Sequence, residues 1–136
     1  MKGYKRGLIA GAIVLFAIAI IFGVSQTYAS QSIEKSAENV VSKFFDAGKN
    51  GDIDTVIDCS IDMRPGLTNS MRREVIKEQK DLLKEYNILS AEKVNDQKVV
   101  VRVKLVLTDD KMILDYPVIY NGDKWVLDIT NAQRVE

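Results

Sequence analysis

From Lys98 to Ile129 the chain alternates apolar and polar positions in three consecutive runs. In the first, Val99, Val101, Val103, Leu105 and Leu107 share one side. Lys98, Arg102 and Lys104 fall on the other, with Val100 and Val106 as apolar exceptions. A period of two is what a strand with one face to a core and one to water produces. The second run, Met112–Tyr120, aligns Met112, Leu114, Tyr116, Val118 and Tyr120, and the third, Lys124–Ile129, aligns Trp125, Leu127 and Ile129. Asn121-Gly122 between them supplies the positive-φ pair of a tight hairpin. The three runs predict an antiparallel meander with one oily face. Pro117 has no donor to give a central ladder, so a bulge or a local edge is expected there.

Upstream the apolar period lengthens. Ile33, Ala37, Val40, Val41, Phe44 and Phe45 recur at helical spacing after Ser32, a fitting N-cap, and Gly48-Lys49-Asn50-Gly51 ends the pattern. Asp52 caps a second, shorter helix that buries Ile53, Val56 and Ile57. Arg64-Pro65-Gly66 breaks the chain. Ser70 is the expected cap of a third helix, with Met71, Val75, Gln79, Leu82, Leu83 and Tyr86 on one face and charges of mixed sign on the other, a solvated surface. Asn87–Asn95 reads as a further strand that turns at Asp96-Gln97.

Ahead of all this stands a segment of a different kind. Met1–Arg6 is short and basic, and Gly7–Val24 is an unbroken apolar run that spans ~27 Å as a helix at 1.5 Å per residue. Such a run matches both a secretory signal, cleaved near Ala29, and a retained membrane anchor; its length favours the anchor. In either case the basic tip stays cytoplasmic and the remainder goes outward. Gly7 and Gly11 have the spacing of a helix-packing pair, a weak signal in a run this rich in small residues. The division is therefore 1–30, a tip plus anchor or signal, and 31–136, an extracytoplasmic domain.

Charge and composition narrow the chemistry. The chain is formally neutral, but Lys2, Lys5 and Arg6 lie in the tip and the first acid is Glu34, so the domain is mildly acidic. That argues against nucleic acid as a partner. Histidine is absent, which removes the usual proton shuttle and the commonest metal ligand. Cys59 is the single cysteine, so there is no internal disulfide; with no basic neighbour in sequence it reads as inert packing. Asp52, Asp54, Asp58 and Asp62 lack the alternating oxygens, glycine and distant glutamate of a calcium loop, and are expected to be the wet face of the second helix. Neither metal nor cofactor is expected.

Helices followed by a meander give an α+β fold: three helices packed on a curved antiparallel sheet of about four strands. The first helix Ala37–Ala47, the helix entry Lys49-Asn-Gly-Asp-Ile-Asp-Thr-Val-Ile-Asp58 and the closing hairpin Tyr120-Asn-Gly-Asp-Lys-Trp125-Val-Leu together resemble the nuclear-transport-factor-2-like (cystatin-like) superfamily, in particular its small exported bacterial members. The resemblance covers roughly 33–130 and implies a cone-shaped sheet. The strand that often interrupts the helices in that superfamily is not evident here.

Enzymes of the superfamily such as ketosteroid isomerase place an Asp base near a Tyr and a protonated acid at the open end of the cone. Here the inward positions carry only phenols and an indole as polar groups; Asp115 and Asp128 alternate outward. No catalytic residue is expected. Phe44, Phe45, Met112, Tyr116, Tyr120 and Trp125 are the candidate lining of an apolar pocket, although amphipathic aromatics are equally ordinary as core. The expected function is a non-catalytic, membrane-anchored or secreted module that binds a protein or a small apolar ligand. The alternative is a structural subunit of an envelope assembly such as a conjugation or secretion channel scaffold, by analogy with scaffolds built as tail, membrane helix and external domain. A small-molecule isomerase or hydrolase is a distant third.

Overall fold

The computed structural model describes residues 33–136, which form one compact unit. The basic tip, the apolar run Gly7–Val24, the Gly7/Gly11 pair and the Ser32 cap all lie outside the described residues, as does the choice between anchor and signal. Among the described residues no helix is long and apolar enough to cross a membrane.

Helix α1 (33–50) lays Ala37, Val41 and Phe45 into the core. Its end is a glycine stop. Gly51 takes φ +75°, and the amides of Gly51 and Asp52 donate to the carbonyls of Gly48 (3.3 Å) and Ala47 (2.8 Å), which satisfies acceptors the last turn would leave bare. Asp52 then caps α2 (Ile53–Asp58), accepting from the Thr55 amide at 3.2 Å and the Thr55 hydroxyl at 2.7 Å. One residue thus closes one helix and starts the next.

A short strand β1 (Ser60–Ile61) follows and pairs parallel with β5 (Trp125–Asp128). It is the interrupting strand that the sequence did not reveal. Two residues carry no period, and only the distant partner at Leu127–Asp128 defines them. The third helix also differs from expectation. α3 spans Asn69–Gln79 under a Thr68 cap, whose hydroxyl accepts from the Met71 amide at 3.2 Å, so Ser70 lies inside the first turn. None of its side chains is buried, and it packs mainly on α2 rather than on the sheet.

Leu83 and Tyr86 belong to β2 (Leu83–Asn95), not to α3. The pairing of β2 with β3 (Lys98–Leu107) slips between Leu83 and Glu85 and again between Ile88 and Ser90. Each extra residue lets Leu83, Tyr86, Ile88 and Ala91 all pack on the core. Spacings of three, two and three imitate a helical stripe.

The sheet is mixed and six-stranded, in the order β1-β5-β4-β3-β2, with β6 (Gln133–Arg134) beside β4 (Lys111–Tyr120). Strands β2 to β5 are the expected antiparallel meander; the parallel β1 and the short β6 are additions. β4 changes partner along its length. Val118–Tyr120 pair with β5 and Leu114–Asp115 with β6. By strand alternation the donor position of residue 117 points to that flank, as the Ile113 amide does in reaching the Glu136 carbonyl at 3.0 Å. Pro117 therefore sits where no ladder bond is asked for. It is a local edge inside the sheet.

The oily face is as the alternation implies: Val99, Val101, Val103, Leu105, Tyr116, Val118 and Leu127 join Ala37, Val41 and Phe45 in one buried cluster. Tyr120 is the exception, 38% exposed at the rim. The hairpin there is a turn over Asn121–Lys124, where Gly122 supplies the positive φ (+96°). Asn121 acts through its side chain, whose Oδ1 accepts from the amides of Asp123 and Lys124, each at 2.9 Å.

Candidate functional site: an apolar cavity with a polar annex

Between α1, α2, α3 and the sheet lies a cavity of about 420 Å³, within the range of roughly 300–1,000 Å³ usual for small-molecule sites. Its walls are mainly aliphatic and aromatic. Phe44 and Phe45 come from α1, Val56 from α2, Ile76 from α3, Leu105 and Leu114 from the sheet. Ile129 and Ala132 close the side where the chain leaves β5 for β6, next to the step at which β4 changes partner. The polar side chains of the wall are Tyr116, Gln79 and Lys80.

Tyr116 is the singular group. It is only 8% exposed, and its phenol has no hydrogen-bond partner among the described residues. Burial alone pushes its pKa up to about 12, so the group is a neutral hydroxyl at any physiological pH. Phe45 stacks its ring on Tyr86 at 5.2 Å and meets Tyr116 edge-on. Tyr86 differs from Tyr116 in having a partner: its hydroxyl donates to Asp46 Oδ1 at 2.7 Å.

A smaller annex of about 110 Å³ adjoins this cavity and shares Phe44, Val56, Ile76, Gln79 and Ile129 with it. Its remaining walls combine Ser60, Asp62, Arg64 and Arg72 with the aliphatic Leu67 and Val75. Ser60 donates to the Val56 carbonyl and accepts from Arg72 Nη2 at 2.9 Å. Asp62, its side chain 5% exposed, is gripped by Arg64, which holds its carboxyl below the usual range. Arg72 has no carboxylate partner among the described residues.

Of the six aromatic and sulfur side chains expected to line a pocket, Phe44, Phe45 and Tyr116 stand around the cavity. Met112 packs against the core from its own strand. Tyr120 and Trp125 face each other across β4 and β5, ring centroids 5.6 Å apart, beside the hairpin turn and away from the cavity. Ile76, Ile129, Ala132 and Arg72 were not legible as site residues, because contacts between distant segments place them. Asp115 lies on the outer face in a two-pronged pair with Arg102, 2.8 and 3.0 Å. Asp128 alternates away from Leu127 yet is 7% exposed. Its Oδ2 accepts from Asn131 at 2.8 Å, and Oδ1 has no partner among the described residues. Neither carboxylate lines the cavity or the annex.

The aspartates around α2 disperse rather than converge. Asp52 serves Thr55, Asp54 pairs with Arg73, Asp58 with Lys124 at 2.8 Å, and Asp62 with Arg64. Among the described residues no three acids or thiols gather as a metal site would require. Cys59 is buried, which raises its thiol pKa, and its Sγ lies 3.9 Å from the Val56 carbonyl.

No family model matches the chain, and no curated protein matches it significantly. Among solved structures it is similar to a ketosteroid isomerase-like protein from Erwinia carotovora atroseptica, at 14% identity and a TM-score of 0.52, over 76% of this chain and 96% of that one. The likeness is one of fold: α+β, with helices beside a mixed sheet in the nuclear-transport-factor-2-like manner.

Proposed function

We propose that residues 33–136 form a non-catalytic module that takes up a small, largely apolar ligand. The observation that carries this reading is the Tyr116 phenol, which stands in the cavity wall with no hydrogen-bond partner among the described residues. A hydroxyl facing the cavity gains a protein-held partner when a ligand oxygen or nitrogen accepts from it. The apolar walls supply affinity and the phenol supplies orientation.

Against catalysis, the large cavity offers a phenol, an amide and the rim lysine Lys80. A phenol with a pKa near 12 donates a hydrogen bond well and abstracts a proton poorly. The isomerase arrangement also needs a carboxyl beside it, and Asp115 is held on the opposite face by Arg102. The run 7–24 supports placing the module outside a membrane, either tethered or released after cleavage. The mass of the mature chain against the full 15.3 kDa decides between the two.

Native mass spectrometry of the full chain with decanol tests the binding reading. A one-to-one adduct that Ile76→Trp abolishes is expected. No adduct, together with a large loss of melting temperature in Tyr116→Phe, would show the aromatic cluster to be plain core.

A second reading, as a structural subunit, draws on β2. This 13-residue strand lies at the sheet edge and exposes Leu89 and Val94. Its register slips and its charges at Lys84, Glu85, Glu92 and Lys93 blunt the edge against pairing, so ligand binding remains the stronger reading.

A further inference from the structure

Resting on the ligand-binding reading, we propose that the ligand is a single-chain amphipath of about ten carbons with one anionic head, its tail in the cavity beside Tyr116 and its head on Arg72 in the annex. Three observations meet here.

The first is shape. The apolar cavity and the polar annex are adjoining chambers with five residues in common, so one molecule can occupy both. The cavity has the volume of roughly fourteen waters at about 30 Å³ each, and a methylene needs about as much. A tail on the order of ten carbons fits with room for imperfect packing.

The second is charge. The annex holds two guanidiniums and one carboxylate. Arg64 and Asp62 neutralise each other through two parallel contacts, whereas Arg72 is half-buried and bonded only to the neutral Ser60 hydroxyl. One positive charge is left over, in a partly dry cleft where attraction to an anion exceeds that at an open surface. A guanidinium also offers paired donors that match a carboxylate. Arg73, next along α3, already holds Asp54, and Lys80, the other cation of these walls, belongs to the large cavity and not to the annex.

The third is the cover. α3 contributes Ile76, Gln79 and Arg72 to these walls while burying none of its own side chains. A helix bound so lightly to the fold gains contacts when the chambers fill. An uncharged apolar guest would leave Arg72 unanswered, and a cationic one would be repelled by it.

The full chain held in phosphatidylcholine nanodiscs, with empty nanodiscs as blank, is titrated calorimetrically with decanoate and with decanol. Decanoate is expected to bind one per chain. Arg72→Gln is expected to weaken decanoate at least about tenfold and to leave decanol within about threefold. Arg73→Gln, whose side chain serves Asp54, is the matched control and should change neither. If decanol binds as tightly as decanoate, or Arg72→Gln weakens both alike, the head-group assignment is overturned while the cavity reading stands. If neither probe binds, or Ile76→Trp leaves decanoate binding intact, both fall together.

Discussion

Phe45 meets Tyr116 edge to face, ring centroids 5.6 Å apart at 71°, so that α1 and β4 are joined by a ring contact while the phenol beyond it is left unanswered. Such a contact contributes about 0.5–1.5 kcal/mol beyond burial and does not involve the hydroxyl. Tyr116→Phe keeps the contact and removes an unpaired polar atom. Chemical denaturation should show a change in stability within about 1 kcal/mol, of either sign, and decanol uptake should weaken. A loss of several kcal/mol would mean that the hydroxyl has a partner after all.

Tyr86 provides the contrast. Its hydroxyl donates to Asp46 at 2.7 Å and ties β2 to α1. Tyr86→Phe removes a made bond and is expected to cost about 1 kcal/mol in the same denaturation measurement, with decanol affinity unchanged because Tyr86 does not line the cavity. Equal costs for the two substitutions would contradict the asymmetry between partnered and unpartnered phenols.

Alkaline pH separates Tyr116 again. Its folded pKa of about 12 lies above the unfolded value near 10. The folded state thus favours the protonated form, and its advantage is complete below pH 10. It is lost as pH rises from 10 to 12, where the unfolded chain ionises and the folded one does not. The wild type should lose about 2–3 kcal/mol more than Tyr116→Phe across that window. Parallel stability curves for the two proteins would refute the burial of the phenol.

Acid pH tests the outer face. Arg102 stands opposite Asp115 in the register of β3 and β4 and holds its carboxyl below the ordinary range, chiefly by hydrogen bonding. A depressed carboxyl pKa gives stability that is present above the unfolded value near 4 and disappears as pH falls through the folded value. Asp115→Asn should lower the melting temperature at pH 7 by no more than about 4 °C, as suits an exposed pair. The difference from wild type should shrink steadily as pH falls below the unfolded value and the carboxyl takes up its proton. A gap that persists undiminished there would place the effect in packing instead of charge.

The strand faces were readable because alternation is a local property of the backbone: Val99, Val101 and Val103 need only their own run to declare a buried side. The cap at Asp52 and the glycine stop at Gly51 were readable for the same reason. What failed was decided by partners far along the chain. β1 exists because Ser60 meets Leu127, and nothing in Ser60-Ile61 announces it. The slips opposite β3 give Leu83 and Tyr86 a helical spacing, so that the start of β2 imitates a continuation of α3. The candidate site divides along the same line. Phe44, Phe45 and Tyr116 were named from their inward faces, whereas Arg72 looked like one charge among many until Ser60 and Ile129 were placed beside it. Tyr120 and Trp125, equally aromatic and equally inward by alternation, stand at the hairpin end, and alternation fixes a face without fixing a depth.

Pro117 has a consequence for the mouth of the chamber. Because its nitrogen has nothing to offer a neighbour, the last stretch of chain is free to veer away after Asp128 and return only at Gln133, carrying Ile129 and Ala132 out to form a wall. Pro117 thus marks the gap in that border, and the departing chain fills it with two apolar side chains that a ligand would meet on its way in.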